Sequence, residues 1–325
     1  MMPAHPFRFG IINEQMTTRA DWTEQAQRAE AFGFSTFLIR DHFVPDFFGA
    51  QFAPVAALMA AAAATTTLRI GTLVFDNDFR HPVVLAKEAA TLDLLSDGRL
   101  ELGIGAGWLR SEYAGAGLDY DPARVRIDRL EESLQILKGL FGVGPVQFSG
   151  CHYQIEGLEG YPKPVQQPGP PILIGAGKPR MLKLAGRVAD IVGIMTSSVA
   201  TGVVVEDVGD RMWAAVERQV ELVREGAGDR FSDIELSTVA TFIIDDDRLA
   251  ATERLIAKRR WSGVTPEQVW SMPAIFIGSL DQIAADMHLR REQLGFSYYV
   301  IDSASVERVA PIVARLAGAL TLTRS

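Results

Sequence analysis

Asp41 and His42 follow the apolar run Thr36–Ile39 directly, separated from it only by Arg40. A histidine at a strand end is well placed for proton transfer, because its ordinary pKa of about 6.5 lets it act near neutral pH. The plainer alternative is an Asp-His turn that caps the loop after it. That loop carries Phe43, Phe47, Phe48 and Phe52, rings that could close a lid or lie against a flat apolar ligand.

Two glycine runs stand beside that pair as candidates. Gly103, Gly105 and Gly107 form GxGxG, with Ala106 and Trp108 completing the exit from a second apolar run. The spacing is not the GxGxxG of a dinucleotide fingerprint and no helix starts at once, so a dinucleotide site is not expected. Glycine leaves its backbone N–H open to a phosphate or ribityl chain, although a tight strand exit would use the same residues. Gly175-Ala176-Gly177 follows Ile172–Ile174 and runs through Lys178-Pro179-Arg180 into a helix. Unpaired N–H groups at a helix start attract anions, and Lys178, Arg180 and Lys183 would add positive charge there. An ordinary strand-to-helix turn is the alternative.

Other polar residues carry less. His81 precedes Pro82 and reads as a turn residue, while His5, His152 and His288 lack metal-ligand spacing. Asp76 and Asp78 flank Asn77 without the glycine and distal glutamate of a calcium loop, and Asp245-Asp246-Asp247 reads as a solvated turn. No bound metal is expected.

Apolar strand-like runs and helical stripes alternate along the chain, which predicts a parallel sheet with helical crossovers. The expected strands are Phe7–Ile12, Thr36–Ile39, Leu68–Phe75, Leu100–Ile104, Ile172–Ile174, Ile191–Ile194, Glu235–Ile243 and Ser297–Ile301. Helices fit at Trp22–Phe32, Pro54–Ala64, Val83–Leu95, Val125–Phe141, Arg180–Arg187, Val208–Glu225, Leu249–Arg260, Leu280–Leu294 and Val306–Leu320. Eight such units close a (β/α)8 barrel, whose ligands collect at the carboxyl ends of the strands. Two stretches are extra: a hairpin with a proline-rich crossing over Gly142–Pro171, and a short helix expected above the barrel mouth within Trp261–Pro273.

The 325 residues, 48% hydrophobic and 22% charged, suffice for one such barrel and are read as a single domain, 1–325. A formal net charge of −8 argues against general affinity for nucleic acid or an anionic membrane. The lone Cys151 rules out an internal disulfide, and Met1–Arg8 lacks the features of a signal peptide, so a cytoplasmic protein is expected. The alanine-rich Val55–Ala64 is too short to span a bilayer and reads as a helix packed on a sheet.

With these residues placed, the chain resembles the luciferase-like monooxygenase superfamily, and within it the branch of oxidoreductases that use the deazaflavin coenzyme F420. The resemblance rests on Asp41-His42, on HPVVLAKEAATLDLLSDGRLELGIGAGW over His81–Trp108, on PPILIGAG over Pro170–Gly177 and on IGSLDQIAADM over Ile277–Met287. It implies an α/β fold, a TIM barrel with insertions, and a non-proline cis peptide at Leu73-Val74. It further implies that Asp41, Leu73, Val74, Gly105, Ala106, Gly107, Trp108, Gly175, Ala176 and Gly177 bind the cofactor, with His42 catalytic. The implied cofactor is F420, with FMN as the alternative. Trp108 stands where the sugar-phosphate dehydrogenases of this branch carry a glutamate acid, with Glu112 the nearest carboxylate, so an apolar or aromatic organic substrate is expected. The leading expectation is hydride transfer between F420 and that small molecule. The alternatives are a two-component monooxygenase using reduced FMN and, from another class, a non-catalytic flavin-binding protein. A homodimer is left open.

Overall fold

The computed structural model describes residues 5–13, 16–45, 49–196, 202–203 and 207–318. Strands β1 (Arg8–Asn13), β2 (Thr36–Ile39), β3 (Arg69–Thr72), β4 (Phe75–Asp76) and β5 (Leu100–Gly105) open the chain, and β6 (Val146–Ser149) and β7 (Gln154–Leu158) follow. Then come β8 (Ile172–Ala176), β9 (Ile191–Ile194), β10 (Glu235–Val239), β11 (Thr241–Ile244), β12 (Ile275–Gly278) and β13 (Phe296–Asp302). The helices between them are α1 (Arg19–Ala31), α2 (Pro54–Ala63), α3 (Pro82–Leu95), α4 (Arg110–Ala116), α5 (Ala123–Phe141) and α6 (Pro179–Val188). Helices α7 (Trp213–Ala227), α8 (Arg248–Arg259), α9 (Pro266–Ser271), α10 (Leu280–Leu294) and α11 (Val306–Leu316) complete the set.

The main sheet runs β3-β2-β1-β13-β10-β9-β8-β5, and a further β3–β5 pairing closes it into an all-parallel barrel. Every expected barrel strand is present. The third is broken at Leu73-Val74, whose peptide bond is cis as expected, and resumes as β4 beside β5. Local signals explain the helix starts: proline sits in the first turn of α2, α3 and α6, and Ser279 with Gln282 makes a reciprocal capping box on α10. The main core lies between the sheet and its helices, while Ile12, Leu38, Leu173, Tyr298 and Val300 fill the inside of the barrel.

Three expectations need correction. The run Glu235–Ile243 is not one strand: β10 ends at Val239, and β11 leaves the barrel to pair in parallel with β12, which the sequence reading missed. Phe242 on β11 stacks on Phe276 of β12 at 4.8 Å, and Phe276 meets Tyr299 edge-on, so this small sheet packs on the barrel's outer face. The expected helix Val208–Glu225 is a 3-10 turn, Val208–Arg211, followed by α7. The short helix in 261–273, α9, does not cover the mouth. Its Val269 joins Ala251, Leu255 and Ile275 in a satellite core beside the small sheet. The antiparallel β6–β7 hairpin matches the expected excursion, and the Glu132 carboxylate holds its turn through the N–H groups of Cys151 and His152.

Charge closes the amino-terminal end of the barrel. Arg8 on β1 reaches Glu101 of β5 at 2.5 Å and Glu235 of β10 at 2.6 Å, while Arg69 on β3 binds Glu101 at 2.8 Å. The guanidinium lies 3.6 Å above the Tyr298 ring. Gly10 makes room for that ring, since a Cβ there would stand 2.8 Å from the Tyr298 hydroxyl. Burial alone would raise the pKa of Glu101, but the charges of Arg8 and Arg69 hold it below the ordinary carboxylate value.

Replacing Glu101 with Gln should therefore cost about 1–3 kcal/mol in urea unfolding, because it removes a buried carboxylate shared by the partly buried guanidinium groups of Arg8 and Arg69, Arg8 keeping Glu235. The native pKa of Glu101 is depressed, so its stabilising contribution is present above the ordinary carboxylate pKa and lost as pH falls. The gap between wild type and Glu101→Gln should narrow in acid, and a gap independent of pH would contradict this account.

Candidate active site

His42 and the ten residues that the resemblance assigns to the cofactor come to one cleft at the carboxyl ends of the strands. The exit of β2 supplies Asp41 and His42, and the break between β3 and β4 supplies Leu73 and Val74. From β5 and its exit come Gly105, Ala106, Gly107 and Trp108. Gly175, Ala176 and Gly177 line the cleft from β8, and Ser237, Thr238 and Val239 from β10. Phe47 and Phe48 of the expected aromatic loop lie outside the described residues; Phe43 is exposed and stacks on Phe79 at 4.3 Å.

His42 is held by a carboxylate. Its Nδ1 lies 2.9 Å from Oε2 of Glu112 in the first turn of α4, while Oε1 of Glu112 accepts the backbone N–H groups of Phe43 at 2.5 Å and Val44 at 3.2 Å. A carboxylate accepts and does not donate, so this contact places the ring proton on Nδ1 and leaves proton exchange to Nε2. The Trp108 ring meets the imidazole edge-on at 5.7 Å. Glu112 is buried and binds the imidazole directly, which replaces the sequence-level picture of a carboxylate merely nearby.

Asp41 plays another part. Its carboxylate takes a forked pair of bonds from Arg80, at 2.5 and 3.2 Å, and accepts the backbone N–H of Asp76 at 3.2 Å. The pair ties the exit of β2 to the segment after β4. Asp76 itself lines the cleft; its carboxyl accepts the N–H of Asp78 at 2.9 Å and stands 3.1 Å from the Tyr113 hydroxyl. Burial pushes its pKa up to about 7, with the Asp78 charge adding to the rise and the bond from the Asp78 N–H opposing it.

At Gly105 and Gly107 a side chain would not fit. A Cβ on Gly105 would stand 2.7 Å from Val74 Cγ2. Gly107 has φ +70°, and a Cβ there would come within 2.5 Å of the Asp76 carboxyl and closer still to the Tyr113 hydroxyl. Arg126 on α5 fastens this exit through the carbonyls of Ala106 at 3.1 Å and Gly107 at 3.3 Å. At the second run, the first turn of α6 has no side-chain cap and opens on the cleft beside Gly177 and Lys178.

The expected basic patch is smaller than the sequence suggests. Lys178 lines the cleft, but Arg180 is bonded to Asp128 and Lys183 to Glu225 at 2.6 Å, both on the exposed side of α6. The sequence reading also passed over Arg80, Tyr113, Arg126 and the true role of Glu112. Their partners lie 37 to 70 residues away in most cases, so no local spacing marks them. Asp76 had a signal, an acid immediately after an apolar strand, and was set aside as a weak calcium loop. Among the described residues there is no cluster that could hold a metal ion, and no helix is long and apolar enough to cross a membrane.

A parallel barrel with its polar residues at the carboxyl mouth is the architecture of many enzymes. The family model described as luciferase-like monooxygenase matches residues 4–293, and the chain belongs to that family. An F420-dependent glucose-6-phosphate dehydrogenase of Kribbella flavida is 32% identical over 260 residues, covering 78% of this chain and 73% of that enzyme. The enzyme of the same name from Amycolatopsis mediterranei is 34% identical over 66% of this chain, and the match spans 64% of its length, just under two thirds. In fold the chain is similar to the coenzyme F420-dependent tetrahydromethanopterin reductase of Methanopyrus kandleri, with a TM-score of 0.73 at 19% identity over 95% of this chain and 99% of that one.

The crowding at Gly107 is directly testable. Gly107→Ala should lower stability by about 1–3 kcal/mol, since it combines an unfavourable positive φ with displacement of Tyr113 and Asp76. Thermal unfolding within a degree of wild type would show that the exit of β5 has room the structure does not display.

Proposed function

We propose that this chain is an oxidoreductase that binds coenzyme F420 in the barrel mouth and acts on a small organic molecule, with His42 exchanging the accompanying proton. The observation that carries this reading is one cleft holding both an imidazole oriented by a buried carboxylate and two glycine-lined strand exits. The names of the relatives favour the deazaflavin over reduced FMN, which remains the second reading because the cleft's glycines suit either ring system.

The residues present fit such a group. Gly105, beside Val74, leaves a shallow wall where a Cβ would intrude, and the uncapped start of α6 offers backbone N–H groups to a phosphate. Leu73, Val74, Ile194 and Met195 would hold the apolar ring, Asp41 and Gly107 its polar edge, and Gly175, Ala176, Gly177 and Lys178 the phosphate end. When bound, the deazaflavin supplies a ring carbon that gives or takes a hydride.

The chain's own work is to bind, orient and move a proton. Glu112 fixes the His42 ring through Nδ1, which leaves Nε2 as the nitrogen to exchange the proton, and its two backbone contacts keep the loop after β2 from carrying the ring away. A buried orienting carboxylate speaks against a purely carrier role. For the substrate, the wall beside His42 is the Trp108 ring, and the cleft's Arg126 is engaged with backbone carbonyls. This supports an apolar or aromatic substrate over a sugar phosphate.

Calorimetric titration with F420 and FMN side by side tests the cofactor: tighter binding of FMN would overturn the choice. Gly175→Asp should weaken F420 binding by at least tenfold while folding normally, because a Cβ at Gly175 meets nothing closer than 3.8 Å and the new carboxylate would face the anion. His42→Ala should leave cofactor affinity within a few fold and slow turnover by roughly 10²–10⁴, the usual contribution of a positioned acid or base. Near-wild-type turnover from about pH 5 to 9 would mean that the proton comes from elsewhere.

A further inference from the structure

Asp76 is the cleft-lining carboxyl that the proton-transfer reading leaves unused. Three acids meet at the exits of β2 and β4, and the arginines nearby are allotted to the outer two. Arg80 pairs with Asp41 at 2.5 Å, and Arg129 of α5 pairs with Asp78 at 2.9 Å. No ion pair among the described residues reaches Asp76, although its side chain is buried and lines the cleft. The atoms around it are a mixed set. The Tyr113 hydroxyl of α4 stands 3.2 and 3.1 Å from its two oxygens and 3.1 Å from Asp78 Oδ2, so that single proton is contested by two acids.

We infer that Asp76 meets the bound cofactor as a neutral acid, so that its ionisation weakens cofactor binding. The inference rests on the F420 reading. Burial is the main cause that raises its pKa to about 7, and the charges of Asp78 and Asp41, to which an ionised Asp76 would add a third, push the same way. The other charges facing it set the balance. Arg80, whose charge also acts on Asp76, is shared with Asp41 and with Glu88 of α3 at 3.6 Å, Arg126 of α5 is bonded to the carbonyl of Gly107, and His42, next to Asp41 in the chain, is paired with Glu112. A neutral carboxylic acid in a cofactor cleft can donate a hydrogen bond to a ring carbonyl or an anionic ring edge; a carboxylate repels either.

The apoprotein gives the first readout. A group whose native pKa is raised binds a proton that the unfolded chain has already released, so stability falls as pH rises from about 4 to 7. Asp76→Asn should lose that slope in urea unfolding. The second readout is calorimetric titration of the apoprotein with F420 between about pH 5.5 and 8.5. If binding needs the protonated form, the wild-type Kd should climb toward tenfold per unit above about pH 7 relative to Asp76→Asn. The comparison removes any titration of the ligand itself. Tyr113→Phe serves as a second variant: it takes away a bond that lowers the Asp76 pKa, so the wild-type break should move to higher pH. Matching pH profiles in wild type and both variants, with F420 bound in each, would overturn the Asp76 inference alone. Absence of F420 binding at every pH would overturn the cofactor reading and this inference with it.

Discussion

The guanidinium of Arg8 is the contact on which the barrel's closure depends. It spans the amino-terminal floor from β1 to acids on β5 and β10, strands that are not its neighbours in the sheet. Hydrogen bonds along the ladder fix each strand against the next, but only a contact across the lumen opposes flattening of the whole ring. An ion set in so confined a place must be fully compensated, and here Arg69, Thr36 and Tyr298 complete the shell around Glu101. The aliphatic layer of Ile12, Leu38, Leu173 and Val300 then separates that floor from the cleft.

The mouth is built on the opposite plan. Where the floor brings long charged side chains together, the exits of β5 and β8 carry glycine and alanine, and the strand ends stay apart. Polar groups gather on one flank of the mouth, where α4 and the turn after β4 deliver Glu112, Tyr113, Asp76 and Arg80. Both ionic sets share a rule. A buried acid is held by an arginine or by several donors, and of the three aspartates at the exits of β2 and β4, Asp76 is the one with no arginine ion pair among the described residues.

How far the sequence disclosed this follows from the range of each signal. The barrel strands are short apolar runs ended by polar residues or glycine, a local pattern, and each was found at its place. The division of Glu235–Ile243 was not, because β10 and β11 form one continuous apolar run whose separation depends on pairing with distant β12. The short helix within 261–273 could be expected from the glycine and prolines that set that stretch apart, yet where it packs is set by a satellite core that no local pattern announces. In the cleft, Leu73 and Val74 came from the family resemblance, while Asp41, His42 and the two glycine runs could be read because strand ends mark themselves. The contacts that tune them could not, since Glu112 meets His42 across 70 residues and Arg80 meets Asp41 across 39. The apparent basic patch at 178–183 failed for the same reason: acids on α5 and α7 neutralise charges that look free in one dimension.

The placement of Glu112 also bears on how such a site diversifies. The orienting carboxylate comes from a helix, one turn beyond the strand exit, and not from the exit itself. Position 108 therefore need not supply that carboxylate, and it lines the cleft as a tryptophan packed edge-on against the imidazole. In the proposed function, recognition and proton handling would sit on separate segments, so drift at the β5 exit would retune what the barrel accepts while the histidine keeps its tautomer.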